Sequence, residues 1–269
     1  MKIFLLPSLR LVIEARNIVL LPMLASVHEI FASIQGEGPW VGQRQVFVRF
    51  SGCDISCRYC DTPLSGRSRS KEDICRVQKS PSDFSYEEVA GTMSGADLSH
   101  FCSRLFLRGP GKTVISLTGG EPLLQDRFLE QWLQSIKHSC FIYLETNGLR
   151  YEAMARIRPL VDSISMDFKL PTATGLRPFW EEHRRFLEAS QGACLFIKAV
   201  VTGDTDRSDI MRSAEIIAEF NPDIPFVIQP SSGRLAPEPA LLIEFQNHAL
   251  SLLRDVRVIP QVHVHLGVP

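Results

Sequence analysis

The 269-residue sequence predicts an α/β fold, a partial and open βα barrel of about six βα units. Three observations predict it. From Val114 onward, short apolar runs alternate with stretches of helical spacing, the pattern of right-handed βαβ units around a parallel sheet. Polar residues collect where those apolar runs end, as they do at the carboxyl ends of strands in parallel α/β folds. No Gly-, Pro- or Ser-rich linker divides the chain. Apolar residues make up 45 % and charged residues 22 %, enough to bury a large core.

Residues 1–27 form an N-terminal extension. Its apolar runs, 3–6, 11–13 and 18–24, are interrupted by Arg10, Glu14, Arg16 and Asn17. A signal peptide needs an unbroken run, and a membrane span needs ~18 residues. The extension is read as a surface-packed segment, or as sequence ahead of an internal start at Met23. Residues 28–269 are read as a single domain with an insertion over 63–110. A net charge of −1 supplies no general basic field for nucleic acid.

Within the main body, a short apolar strand begins at Glu29 and runs into the glycine-rich loop Gln35-Gly36-Glu37-Gly38-Pro39. No helix follows this loop, so it is not a dinucleotide fingerprint. A buried strand over 46–50 places Arg49 just before Cys53. Residues 63–82 carry Arg67, Arg69, Lys71, Arg76 and Lys79 and predict an exposed insertion, with Cys75 a free thiol inside it. Residues 83–107 predict a helix, with Ser85 and Glu88 as a capping box. Gly109-Pro-Gly111-Lys112-Thr113 is no phosphate loop, because position 106 is Phe106 and the Lys-Thr pair precedes a strand. Strands follow over 114–117, 141–145, 163–167, 195–201 and 225–229, with a last extended stretch over 256–260. Helices follow over 123–137, 150–158, 178–190, 206–220 and 237–254.

The strand ends carry Ser51-Gly-Cys53, Thr118-Gly119-Gly120-Glu121-Pro122, Glu145-Thr-Asn-Gly148, Ser165-Met-Asp167-Phe-Lys169, Lys198 and Gln229-Pro-Ser231. Each alone is a weak signal; their recurrence at strand after strand marks a site. Lys169 and Lys198 are either cofactor ligands or structural ion pairs. His263 and His265 stand two apart in a tail read as extended, so they would share a face.

Seven cysteines are too few and too scattered for a disulfide framework and fit a reducing, cytoplasmic compartment. Three of them cluster as Cys53-x3-Cys57-x2-Cys60. Three thiolates can hold three corners of a four-iron, four-sulfur cluster. The fourth iron is then open to a ligand that is not protein, and an open position is where a metal centre does chemistry. A zinc ribbon would need a second Cys or His pair, which is absent nearby.

The Cys53-x3-Cys57-x2-Cys60 motif followed by Gly119-Gly120-Glu121-Pro122 resembles the radical S-adenosylmethionine (SAM) enzymes. The finer resemblance is to the 7-carboxy-7-deazaguanine synthase family. It is carried by Glu29-Ile-Phe-x-Ser-x-Gln35-Gly-Glu37-Gly, Val46-Phe-Val-Arg49-Phe-Ser-Gly-Cys53, Cys60-Asp61-Thr62, Glu145-Thr-Asn-Gly148, Asp167-x-Lys169 and Val258-Ile-Pro-Gln261-x-His263. It spans about His28 to Pro269 and is loose over 63–110.

The resemblance implies a radical SAM fold, a [4Fe–4S] cluster on Cys53, Cys57 and Cys60, and SAM bound by Asp61, Gly119, Gly120, Glu121, Glu145, Ser165 and Lys169. It implies 6-carboxy-5,6,7,8-tetrahydropterin as substrate, met by Gln35, Glu37, Gly38, Arg49, Thr118, His263 and Pro269. Arg49 suits the substrate carboxylate, which a guanidinium clamps with two parallel hydrogen bonds. The alternative for Arg49 is an ordinary surface arginine. The resemblance also implies a Mg²⁺ ion at Thr62, a homodimer, and an electron donor such as a flavodoxin or ferredoxin. In that family a 5′-deoxyadenosyl radical takes hydrogen from C6 of the pterin. The ring contracts, hydrogen returns, and ammonia is lost. Two other functions share the cluster motif: activation of a glycyl-radical enzyme, and a non-catalytic metal-binding interaction module. The first of these does not account for Gln35, Glu37 and the tail.

Overall fold

A computed structural model describes residues 10–14, 17–21, 23–61, 74–107 and 109–269. β1 (Arg10–Glu14) and β2 (Asn17–Leu21) pair antiparallel in a small sheet of their own. Next come β3 (Leu24–Ile34), β4 (Arg44–Phe50), β5 (Ile74–Gln78), β6 (Tyr86–Ala90) and β7 (Thr92–Ser94), followed by α1 (Gly95–Arg104). The rest alternates: β8 (Thr113–Gly119), α2 (Asp126–Ile136), β9 (Cys140–Thr146), α3 (Tyr151–Ile157), β10 (Ser163–Asp167), α4 (Pro171–Thr174), α5 (Trp180–Ala189) and β11 (Cys194–Val201). It ends with α6 (Arg207–Phe220), β12 (Phe226–Pro230), α7 (Pro239–Leu250), β13 (Val256–Val258) and α8 (Val262–Leu266).

The main sheet runs β13-β12-β11-β10-β9-β8-β4-β3-β5-β6, with β7 on β3. From β4 through β8 to β13, every neighbouring pair is parallel. Six crossovers join these strands, as the alternation predicted. β13 and β6 lie at opposite edges, so the barrel stays open. Parallel strands are covered on both faces; all five residues of β10, the polar Ser163, Ser165 and Asp167 included, are buried. Helices turn one apolar stripe to the sheet, as α2 does with Phe128, Leu129, Trp132 and Leu133.

The amino ends of the strands are plugged by Val114, Tyr143, Phe196 and Val227, with Trp40 and Phe141 packed on them. Trp40 Nε1 donates to Ser163 Oγ at 3.2 Å. A Cβ on Gly38, whose φ is +64°, would lie 2.5 Å from the Phe196 ring. The segment after Gln35 therefore dives into the barrel and lies over the plug.

Three expectations fail. Residues 74–78 are not part of an exposed insertion: they form β5, with Cys75 and Val77 wholly buried. Alternation over 74–77 does this, turning Cys75 and Val77 inward while Ile74 and Arg76 face out. Residues 83–94 are strand and turn, not helix. The helix starts only at Gly95, and its capping box is Ser94 with Asp97. The tail over 262–266 is a short helix, so His263 and His265 do not share a face. At the other end, β3 starts at Leu24 and buries Ala25 and Val27, so the sheet begins before residue 28.

Candidate active site

The open carboxyl ends of the strands enclose a cavity of about 1000 Å³. Gln35, Glu37, Arg49, Cys53, Cys57, Cys60, Asp61, Thr118, Gly119, Gly120, Glu145, Ser165, Lys169, His263 and Pro269 all line it. Sequence separations of up to 234 residues collapse to one pocket because register puts strand ends side by side: Arg49 pairs with Thr118, and Asp167 with Lys198. Thr62 lies outside the described residues.

The cluster loop leaves β4 and turns at Cys57, where Cys60 N donates to Cys57 O at 3.2 Å. Among the described residues, no three His, Cys, Asp or Glu side chains converge on one point as a single ion requires. A four-iron cube is wider and holds its thiolate corners apart. Burial pushes the Cys53 thiol up to about 11 and raises Cys57 too. Without a compensating cation these thiols stay protonated, so they suit a metal centre better than a free nucleophile.

The Gly119-Gly120 turn is pinned against the cluster strand. Gly120 N donates to Phe50 O at 3.1 Å, and Glu121 N to Gly52 O at 2.7 Å. Gly119 has φ +119°, and a Cβ there would sit 2.3 Å from Phe50 O, so only glycine fits. Glu121 departs from its expected place. It is fully buried and absent from the cavity wall. Its carboxylate accepts from Leu123 N at 3.0 Å, Thr146 Oγ1 at 2.9 Å and Asn147 N at 2.8 Å. It builds the turn rather than facing the cavity. Burial outweighs those donors and raises its pKa to about 7. Gly38 likewise packs on Phe196 and is not in the wall.

A buried polar chain crosses the cavity floor. Lys169 Nζ meets Asp167 Oδ2 at 2.8 Å and lies 5.5 Å over the Tyr59 ring. Lys198 Nζ lies 3.6 Å from the same Asp167 oxygen and pairs closely with Glu37 Oε2. Burial alone would raise Glu37, but Lys198 and then Gln261 bring it down to about 2. Lys198 is raised above its ordinary value, because Glu37 and Asp167 outweigh its burial. Glu145 sits with the glycine loop: it accepts from Gln35 Nε2 and from Thr118 Oγ1, each at 2.8 Å. Its pKa is raised by burial and by the Glu37 charge.

Arg49 meets Glu29 through Nε at 3.5 Å and stacks 5.4 Å from the Phe31 ring, which leaves its terminal nitrogens for a ligand. Asp167 Oδ1 and the Tyr59 hydroxyl are buried and unpartnered among the described residues. Both residues line the cavity, and buried orphans of this kind are partners for a bound ligand. The tail closes one side: Val262 N donates to Gly36 O at 2.9 Å, and His263 covers Gly36 so closely that a Cβ there would overlap its ring.

Sequence reasoning set Lys198 as an open choice and gave no role to Gln261 or Asp167. Lys198 stands in the cavity wall and is ion-paired there with Glu37 and Asp167, the second of its two alternatives. The Asp167-x-Lys169 spacing carried a signal for Asp167. For Gln261, only its place in the closing motif pointed inward.

The model of the Radical SAM superfamily matches residues 47–194. A 7-carboxy-7-deazaguanine synthase of Geobacter sulfurreducens is 39 % identical over 257 residues, covering 90 % of this chain and 97 % of that protein. Proteins of the same name from Methanothermobacter thermautotrophicus and Archaeoglobus fulgidus are 34 % and 32 % identical, each covering 91 % of this chain and 98 % and 100 % of their own lengths. The crystal structure of QueE from Escherichia coli superposes with a TM-score of 0.58 at 20 % identity, over 88 % of this chain and 94 % of that one, a likeness of fold.

Proposed function

The chain belongs to the 7-carboxy-7-deazaguanine synthase family of the radical SAM superfamily, and on that premise we propose how its cavity contracts a pterin ring. The reaction is the radical conversion of 6-carboxy-5,6,7,8-tetrahydropterin to 7-carboxy-7-deazaguanine with loss of ammonia, in deazapurine biosynthesis. One observation carries the reading: three thiols, a glycine turn and a set of carboxylate and guanidinium groups share one pocket.

Cys53, Cys57 and Cys60 would hold a [4Fe–4S] cluster, and a set of three thiols on the cavity wall, none of them in a disulfide, fits it. When bound, the cluster and SAM supply hydrogen-atom abstraction. The backbone of Gly119 and Gly120, with Ser165, Lys169 and Asp61, holds the methionine and ribose portions. Arg49 takes the substrate carboxylate through its free terminal nitrogens. Glu37 and Gln35 accept from the guanidine-like pterin edge, with Glu37 kept ionised by Lys198. Thr118, His263 and Pro269 complete that wall. Glu145, bound to Gln35 and Thr118, braces the substrate side of the cavity rather than the cofactor side. A Mg²⁺ ion held by Thr62 and substrate oxygens belongs to the same reading, since hard cations take oxygen ligands.

No helix among the described residues is long and apolar enough to cross a membrane. An oxygen-sensitive cluster needs a reducing compartment, which supports a cytoplasmic setting. Reduction by a flavodoxin or ferredoxin and assembly as a homodimer complete the proposal. The test is anaerobic reconstitution, then turnover with reductant, SAM, Mg²⁺ and the carboxylated pterin. Expected are about four irons per chain and a deazaguanine product without net SAM consumption. Accumulation of 5′-deoxyadenosine with the pterin untouched overturns it.

A further inference from the structure

We propose that Gln261 is a positioning residue, a neutral strut whose one amide fixes Glu37 of the glycine loop against Asp61 of the cluster loop and so sets the direction from which substrate is held. The proposal rests on the reading of Glu37 as a substrate acceptor.

The geometry is specific. Gln261 Nε2 donates to Glu37 Oε1 at 2.9 Å and to Asp61 Oδ2 at 2.8 Å. An amide nitrogen has two hydrogens, and both are used. Its Oε1 accepts from Ser232 Oγ at 2.9 Å, in the loop after β12. The side chain belongs to a residue only 8 % exposed, and it joins four segments that are remote in sequence. The next residue repeats the attachment through the backbone, Val262 N to Gly36 O.

The choice of glutamine follows from charge. Two carboxylates this close repel, and a donor between them must reach both. A glutamate would add a third negative charge. A lysine would compete with Lys198 for Glu37. Glutamine donates twice and adds no charge. With Oε2 on Lys198 and Oε1 on Gln261, the Glu37 carboxylate cannot pivot, so its remaining lone pairs keep one direction. Removing the amide leaves a single attachment and frees that rotation, and misplacements of this kind are costly for a bound reactant.

The test compares wild type with Gln261→Met and Gln261→Asn as cluster-loaded enzymes, with Glu37→Gln and the Glu37→Gln/Gln261→Met double variant. Iron content should match wild type throughout. Gln261→Met should raise the KM for the pterin roughly tenfold, the loss of one hydrogen bond to a charged group, with kcat falling less. Hydrogen exchange at residues 35–42, measured without turnover, should quicken. In the Glu37→Gln background, Gln261→Met should change KM by less than about twofold, since coupled residues are not additive. If Gln261→Met loses iron, Gln261→Asn carries the test: its amide reaches only one carboxylate and should give an intermediate KM. Unchanged KM and exchange in the Gln261 variants, or additive KM effects in the double variant, overturn the strut. A wild-type KM in Glu37→Gln has a different signature: it overturns the substrate role of Glu37, and the positioning role with it.

Discussion

Two buried carboxylates in this cavity region behave in opposite ways. Glu37 and Glu121 both follow a glycine, both are enclosed by the fold, and each is hydrogen-bonded. Glu37 has a lysine partner and is held down to about 2; Glu121 has only neutral donors and is raised to about 7. Burial costs both of them the same kind of solvation. What differs is whether a cation lies in reach, and this decides which group keeps its charge in the cavity wall and which is a clasp for a turn. Residue type and a neighbouring glycine do not separate them; the strand register that delivers Lys198 does.

The strongest way to break the contrast is Lys198→Met. It strips Glu37 of its cation, and breaking a buried pair costs about 3–5 kcal/mol. Denaturant unfolding should show that loss. The kcat/KM should fall about 100-fold as the acceptor is neutralised or displaced. Wild-type kinetics in this variant would mean that the pair is only structural.

The pH dependence of stability sharpens it. Glu121 has a folded value above the ordinary 4.5, so the fold favours its protonated form. Its contribution is complete below pH 4.5 and disappears as pH rises through about 7. The rise from 4.5 to about 7 corresponds to about 3 kcal/mol. Wild type should lose that much relative to Glu121→Gln across this window. Glu37 has the opposite sign: its contribution is present above pH 4.5 and is lost only as pH falls toward 2. Glu37→Gln should therefore run parallel to wild type over the window in which Glu121→Gln diverges. Interchanged curves would exchange the two roles.

A smaller effect tests the wall beside Glu37. Residues added after Pro269 must leave through the cavity boundary, so they should raise substrate KM about tenfold, while a tag ahead of residue 1 should not. The smallest effect is the control. The Arg254–Asp223 pair, whose side chains are 69 % and 60 % exposed, should contribute below about 1 kcal/mol in an Arg254→Ala variant. A loss as large as that of Lys198→Met would remove burial as the deciding factor.

The parallel half was legible because short, mostly apolar strands such as β9 and β11 alternate with longer stretches of helical spacing such as α2 and α6. Residues 74–94 were not, for a physical reason. There β5 and β6 form the sheet's edge, and their outward charges, Arg76 opposite Glu88, hide the inward Cys75 and Val77. The Ser85–Glu88 spacing then imitated a helix cap while the true cap lay nine residues further on. Five-residue α8 is too short for any period to show. Within the cavity, motif positions such as Arg49 and Cys53 were visible, since their neighbours in sequence are also their neighbours in space. Gln261 and Lys198 draw their roles from partners far along the chain, and only the assembled sheet brings those together.

The strut at Gln261 also has a consequence in time. It spans 224 residues to Glu37 and 200 to Asp61, whereas β8 to β13 each pair with a neighbour one crossover away. Long closures carry the larger entropic cost and are slow to form. The sheet can therefore zip together while the cavity is still missing a wall, and the tail sets how long that interval lasts.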